Sequence, residues 1–203
     1  MTDFLYPFIE GDERDAGALL TDLARSSLDK EQESEALRVD TLERIGAEVE
    51  AAAVAMRARF DAGGQLFTFG NGGSSTDATT IATLFGRTLP ARCLADDTAV
   101  LTALANDVGF DLVFSRQLIA HGKPPDIALG ISTSGSSRNL LDAFAEAKRQ
   151  GLLTIGIAGY GGGEMADAGL DHCLVVRSES VHRIQETQAA VAFALWQGVT
   201  RHG

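Results

Sequence analysis

Cysteine is scarce in this 203-residue chain: Cys93 and Cys173 are its only two, far apart and each in an apolar segment. That number excludes a disulfide framework, and two buried thiols are the expected state. Basic residues are also in short supply. Seventeen Lys and Arg stand against twenty-eight Asp and Glu, giving a formal charge of −11. The balance argues against a nucleic-acid partner, which wants a basic face, and against an anionic membrane surface. Long apolar runs are missing as well, so nothing approaches the length of a bilayer span. "MTDFLYPFIEGDERD" carries acids where a signal peptide carries basic residues, so a cytoplasmic protein is expected. A small anion is still admitted as a ligand, because local amides and hydroxyls can outweigh a distant net charge.

Residues 31–62 contain no Pro and a single Gly, Gly46. Leu37, Leu42, Ile45, Val49, Ala52, Ala53 and Met56 recur there at helical spacing, which predicts one long amphipathic helix. "ALLTDLARSS" predicts a shorter helix before it, over 16–27, with Ser27 and Asp29 at the break. From residue 65 the pattern becomes an alternation of strands and helices. "QLFTFG" (65–70), "ARCLAD" (91–96), "DIALGIS" (126–132), "LLTIGIAG" (152–159) and "HCLVVRS" (172–178) are short apolar runs, the mark of parallel strands buried on both faces. Helices are expected over 74–86, 97–120 in one or two pieces, 137–150 and 181–201. The fold class is therefore α/β, an open doubly wound parallel sheet. An N-terminal helical extension (1–62) precedes the sheet domain (63–203).

Two loops carry hydroxyls and glycines to the ends of strands. "GNGGSS" (70–75) turns through Gly72 and Gly73 and opens a helix at Ser74 and Ser75, where free amides and the helix dipole favour negative charge. A glycine turn with a serine cap also serves proteins that bind nothing. "ISTSGSSRN" (131–139) is more telling. Ser132, Thr133, Ser134, Ser136 and Ser137 surround one glycine, and a helix cap needs only one of the five. Hydroxyls and amides at a helix N-terminus match the acceptor oxygens of a phosphate. No lysine follows in a G-K-[ST] arrangement, which removes a nucleotide P-loop. A dinucleotide site is the rival, with Asp96 and Asp97 near the place of a ribose-binding acid. Against it, Ser75 stands where the third glycine belongs, and the serine cluster has no role. A sugar phosphate fits better.

"GNGGSxxDA", "NDxGFDxVFSRQL", "GISTSGSSRN" and "RIQE" occur in the order and spacing of phosphoheptose isomerases, and the chain resembles that branch of the sugar isomerase (SIS) domain family over nearly its whole length. The resemblance implies a flavodoxin-like α/β/α sandwich around a five-stranded parallel sheet. It also implies a homotetramer with sites lined by neighbouring subunits. Ser132, Thr133, Ser134 and Ser137 match the family's phosphate contacts, and Asn71, Gly72, Ser74, Arg87, Asp107 and Gln185 match its sugar pocket. The departures concern chemistry. Thr80 stands at the position of a family histidine, and Thr83 or Leu84 at that of the glutamate base. Gln188 stands where the family has its acidic histidine and is kept as a pocket residue.

Moving a proton between C1 and C2 of a sugar phosphate needs a base at carbon and an acid at oxygen. Threonine, leucine and glutamine supply neither near pH 7. The sequence thus predicts a sugar-phosphate binder without the usual acid–base pair, and no metal or cofactor is expected. Two alternatives stand beside it. One is an isomerase acting through His182, three residues before Gln185 on the same helix face, where the family usually has aspartate. The other is a protein-binding scaffold, like the branch that binds a replication initiator, using "FLYPF" (4–8) and the N-terminal helices. His121, His172 and His202 are expected at the surface, and Asp77 is expected to cap or orient the first loop.

Overall fold

The computed structural model describes residues 16–201. Segment 4–8 and His202 lie outside them. Helix α1 covers Ala16–Asp61. Its residues up to Ala36 belong to one compact unit, and Leu37 opens the other. In the first unit the backbone stays helical through Ser27 and Asp29, where the sequence predicted a break. Both residues can cap a helix, but neither forbids one, as Pro does.

The second unit is a five-stranded, all-parallel sheet, β1 (Leu66–Gly70), β2 (Ala91–Cys93), β3 (Ile127–Ser132), β4 (Leu153–Ala158) and β5 (His172–Val175), in the order β2-β1-β3-β4-β5. β1, β3 and β4 are buried at every residue, as their unbroken apolar runs require. Their registers align Leu66 with Ile127 and Ile127 with Leu153. α2 (Gly73–Phe85), α3 (Thr98–Asp107), α4 (Val113–His121), α5 (Arg138–Arg149), α6 (Gly163–Asp167) and α7 (Val181–Arg201) supply the outer layers, with a 3₁₀ turn at Phe110–Leu112.

Side-chain alternation along the strands divides the core in two. Ile127, Leu129 and Ile131 face α1, α2 and α7, where Met56, Phe85 and Ile184 pack. Phe67, Phe69 and Ala128 face the opposite layer, against Phe114, Phe144 and Met165. The architecture is thus the three-layer α/β/α sandwich that the sequence implied. The apolar face of the long helix, from Leu37 to Met56, packs into the first of these clusters.

Cys93 is buried and Cys173 half-buried, and both are free thiols. His172, expected at the surface, is half-buried instead. Its Nδ1 lies 2.6 Å from Oε1 of Glu48, joining β5 to α1. No helix among the described residues is long and apolar enough to cross a membrane.

In this strand order the chain leaves β1 toward β2 and leaves β3 toward β4, in opposite directions. The carboxyl ends of β1 and β3 therefore flank a topological switch point, where open α/β sheets form their crevices. The glycine loop follows β1 and the serine loop follows β3, so the two hydroxyl-bearing loops meet there.

Candidate functional site

The glycine loop enters α2 with Gly72 at φ 54°, ψ −124°, a conformation that favours glycine. No side chain caps α2. Gly73 is needed for a different reason: a Cβ there would overlap the amide of Gln185, which reaches over from α7. Ser74 is buried in the first turn, and Asn71 is half-buried. The Asn71 amide donates to Oδ1 of Asn139, and the Asn139 amide donates back to Oδ1 of Asn71, both at 2.9 Å. This doubled bond spans the switch point and fixes the two loops relative to each other.

The serine loop divides its hydroxyls between structure and surface. Ser132, only 4% exposed, is its internal hub. Its Oγ accepts from the Gly135 amide at 3.0 Å and lies 3.3 Å from the hydroxyls of Ser134 and Ser137. Ser132, which the resemblance matched to a phosphate contact, thus has its hydroxyl engaged within the loop itself. Thr133 and Ser137 are half-buried and Ser134 is exposed. Ser137 occupies the N-cap of α5, yet its side chain makes no capping bond. Its hydroxyl lies 3.3 Å from that of Ser132, at the start of the helix whose first-turn amides follow it.

A second backbone layer braces this loop from behind. The Ser136 hydroxyl accepts from the Glu164 amide at 3.2 Å, and the Gly135 carbonyl accepts from the Met165 amide at 2.8 Å. Tyr160, the single positive-φ residue other than glycine among those described, turns the chain between β4 and α6 at φ 50°. The α6 segment had no sequence signal beyond its glycines, and its five residues are shorter than a periodicity can register.

Gln188 does not line the crevice. It is 1% exposed, and its amide donates to the carbonyls of Ser132 at 3.2 Å and Ile157 at 3.3 Å, tying β3 to β4 under the serine loop. Arg87 follows the C-terminus of α2, whose thirteen residues span about 20 Å. It therefore sits near the opposite edge of the sheet and does not reach the serine loop of its own chain. Asp107 ends α3, exposed, and accepts from Asn106 at 2.8 Å. His182 is exposed in the first turn of α7, while Gln185 is half-buried on the same helix. The dinucleotide rival also loses its acids. Asp96 accepts from Thr79 at 2.6 Å, and Asp97 caps α3 by accepting from the Val100 amide at 3.0 Å.

Below Gln185 a recess of about 130 Å³ opens between α2 and α7, walled largely by Ile81, Leu84, Ala192 and Phe193. Asp77 faces it, and Thr80 lies at its rim. Oδ2 of Asp77 is buried without a hydrogen-bond partner. Burial raises the carboxyl above its ordinary value of 3.8, since the charged form loses water and gains nothing in return. The folded chain thus holds this proton more tightly than the unfolded chain does. Stability falls as pH rises from the ordinary Asp value through the raised one. Asp77→Asn is expected to be more stable than the parent at pH 7 and to lose that advantage near pH 3, which urea melts at the two pH values measure. No group of three or more His, Cys, Asp or Glu side chains suited to a metal ion converges among the described residues.

A model of the SIS domain matches residues 31–159. A phosphoheptose isomerase of Rhodospirillum rubrum is 44% identical over 151 residues, covering 71% of this chain and 80% of that protein. One from Sulfurimonas denitrificans is 48% identical over 129 residues, covering 60% and 66%. Among solved structures, the phosphoheptose isomerase of Neisseria gonorrhoeae superposes with a TM-score of 0.84 at 33% identity, covering 88% of this chain and 99% of that one. The Francisella tularensis enzyme gives 0.82 at 30%, covering 89% and 98%.

Proposed function

Because the chain belongs to the SIS domain family, among the phosphoheptose isomerases, we propose that it binds a phosphorylated sugar at the β1–β3 switch point. The phosphate rests on the hydroxyls of Thr133, Ser134 and Ser137 and on the first amides of α5. Asn71, Ser74 and Gln185 face the sugar. Ser132 and Gln188 support the seat from below. On this reading the glutamate base implied by the resemblance is replaced by Thr83 or Leu84 and the acid histidine by Gln188, with Thr80 in place of a further histidine. Arg87 and Asp107 serve a neighbouring subunit's site in a homotetramer, since helix length keeps Arg87 from its own.

One observation carries this reading. The two loops are locked across the switch point by the Asn71–Asn139 pair, with the Ser137 hydroxyl at the N-cap of α5 making no capping bond. A neutral donor set at a helix N-terminus is built for an anion.

Thermal denaturation with and without sedoheptulose 7-phosphate tests it. A ligand at a hundred times its Kd stabilises the fold by about 2.7 kcal/mol. Each lost hydroxyl bond to the charged group costs about 1.5–3 kcal/mol, so Ser134→Ala and Ser137→Ala should each weaken binding roughly ten- to a hundredfold. A parent chain that gains no stability from any sugar phosphate would favour the scaffold instead.

A further inference from the structure

The recess between α2 and α7 contains a single titratable side chain. Thr80, Ile81, Leu84, Ala189, Ala192 and Phe193 form its walls, and none of them exchanges a proton near neutral pH. Asp77 stands among them with Oδ2 buried and bare. A buried acceptor without a donor is costly, and its retention in a fold demands a reason.

Position supplies one. Asp77 lies one helical turn after Gly73, and Ala189 one turn after Gln185. The Gly73 backbone and the Gln185 amide are in contact. The recess is therefore the layer immediately beneath the sugar side of the crevice, and Asp77 is the first ionisable group met on going down. His182, by contrast, is exposed and takes no part in the recess.

Resting on the sugar-phosphate reading above, we propose that Asp77 is a catalytic residue, carrying a proton between C1 and C2 of a bound sugar phosphate. With a ketose phosphate in place, the Asp77 carboxylate takes a proton from C1. The C1–H electron pair becomes the C1=C2 double bond, and the carbonyl pair moves onto O2, which receives the proton released by the O1 hydroxyl. The resulting enediolate, with its negative charge on O1, collapses as O1 forms the new carbonyl and C2 takes the proton back from Asp77. One proton has moved from C1 to C2 through the carboxyl and one from O1 to O2, with no other reactant consumed. Burial helps, because a carboxyl held above its ordinary range is a stronger base toward carbon. The apolar walls also keep water from competing for that proton.

The experiment incubates the full chain with sedoheptulose 7-phosphate in D₂O and follows deuterium at C1 and C2 by NMR. Binding is measured in parallel by thermal shift with the same sugar phosphate. The parent chain should bind and exchange, and Asp77→Asn should bind equally well while exchange falls at least about a hundredfold. Asp77→Ser gives the same comparison if the asparagine variant does not fold. Exchange within a few-fold of the parent in either variant overturns the proposal. So does loss of exchange in His182→Ala with Asp77→Asn still active, or a parent chain that binds the sugar phosphate and never exchanges. A parent chain that fails to bind at all instead overturns the sugar-phosphate reading on which the proposal stands.

Discussion

Replacing Gly135 by alanine is expected to abolish sugar-phosphate binding and to destabilise the fold by about 2–4 kcal/mol. Two costs combine. Gly135 has φ +66°, where an L side chain is strained, and a Cβ there would run into the carbonyl of Gly162. Neither obstacle is a flexible side chain that can swing aside. The contact is backbone on backbone, and a Cβ on Gly163 would likewise meet the Ser134 carbonyl from the other direction. Relief therefore means pulling the serine loop away from the β4–α6 turn. That breaks the bonds from the Met165 amide to Gly135 and from the Glu164 amide to Ser136. Urea melts measure the stability loss, and the missing thermal shift with sedoheptulose 7-phosphate measures the lost seat. Near-parent stability with intact binding would show that the loop tolerates the methyl group and is less tightly braced than described.

Phe144→Ala is the second large effect, and it acts on stability first. Phe144 is 1% exposed on the face of α5 that meets the sheet. Its ring centroid lies 5.2 Å from that of Phe69, which lies 5.5 Å from that of Phe114. The same ring fills the space over Gly130, where a Cβ would stand 2.7 Å from Cζ of Phe144. Truncation leaves a cavity against a strand that has no side chain of its own to fill it. The expected cost is about 3–5 kcal/mol. In a domain of this size that lowers the midpoint of thermal unfolding by about 10 °C. Calorimetry reads it directly, and a drop of only one or two degrees would show that neighbouring side chains collapse into the gap. Sugar-phosphate binding by the remaining folded protein should be weakened little, because Phe144 sits below the loop and touches none of its hydroxyls.

The sheet was legible in the sequence because buried parallel strands are nearly continuous apolar runs. All five were located, with no end off by more than three residues. Helix α6 escaped because five residues cannot express a helical period. The absent break at Ser27 and Asp29 has the opposite cause, since capping residues permit a helix end without imposing one.

At the site, local chemistry was readable and spatial partition was not. The cluster of hydroxyls pointed to an anion, but nothing in "STSGSS" distinguishes Ser132, turned under the loop, from Ser134, turned outward. That division depends on the Gly135 amide, which turns back toward the strand. Asn139 was visible only as the end of "SSRN", and its bond to Asn71 crosses 68 positions. Gln188 was assigned to the pocket by its place in the chain, whereas two strand carbonyls hold it beneath. Asp77 was read as a loop-capping residue because a sequence does not disclose that its carboxyl has an apolar wall for company.

The serine loop has one further consequence. Between positions 132 and 137 it contains no lysine or arginine, so the grip on an anion proposed for it would come from dipoles arranged in space. Such a grip distinguishes tetrahedral oxygens from flat ones far better than it counts valence. Under the proposed reading, sulfate and free orthophosphate are natural competitors for it, and a preparation stored in phosphate buffer brings its own competing ligand.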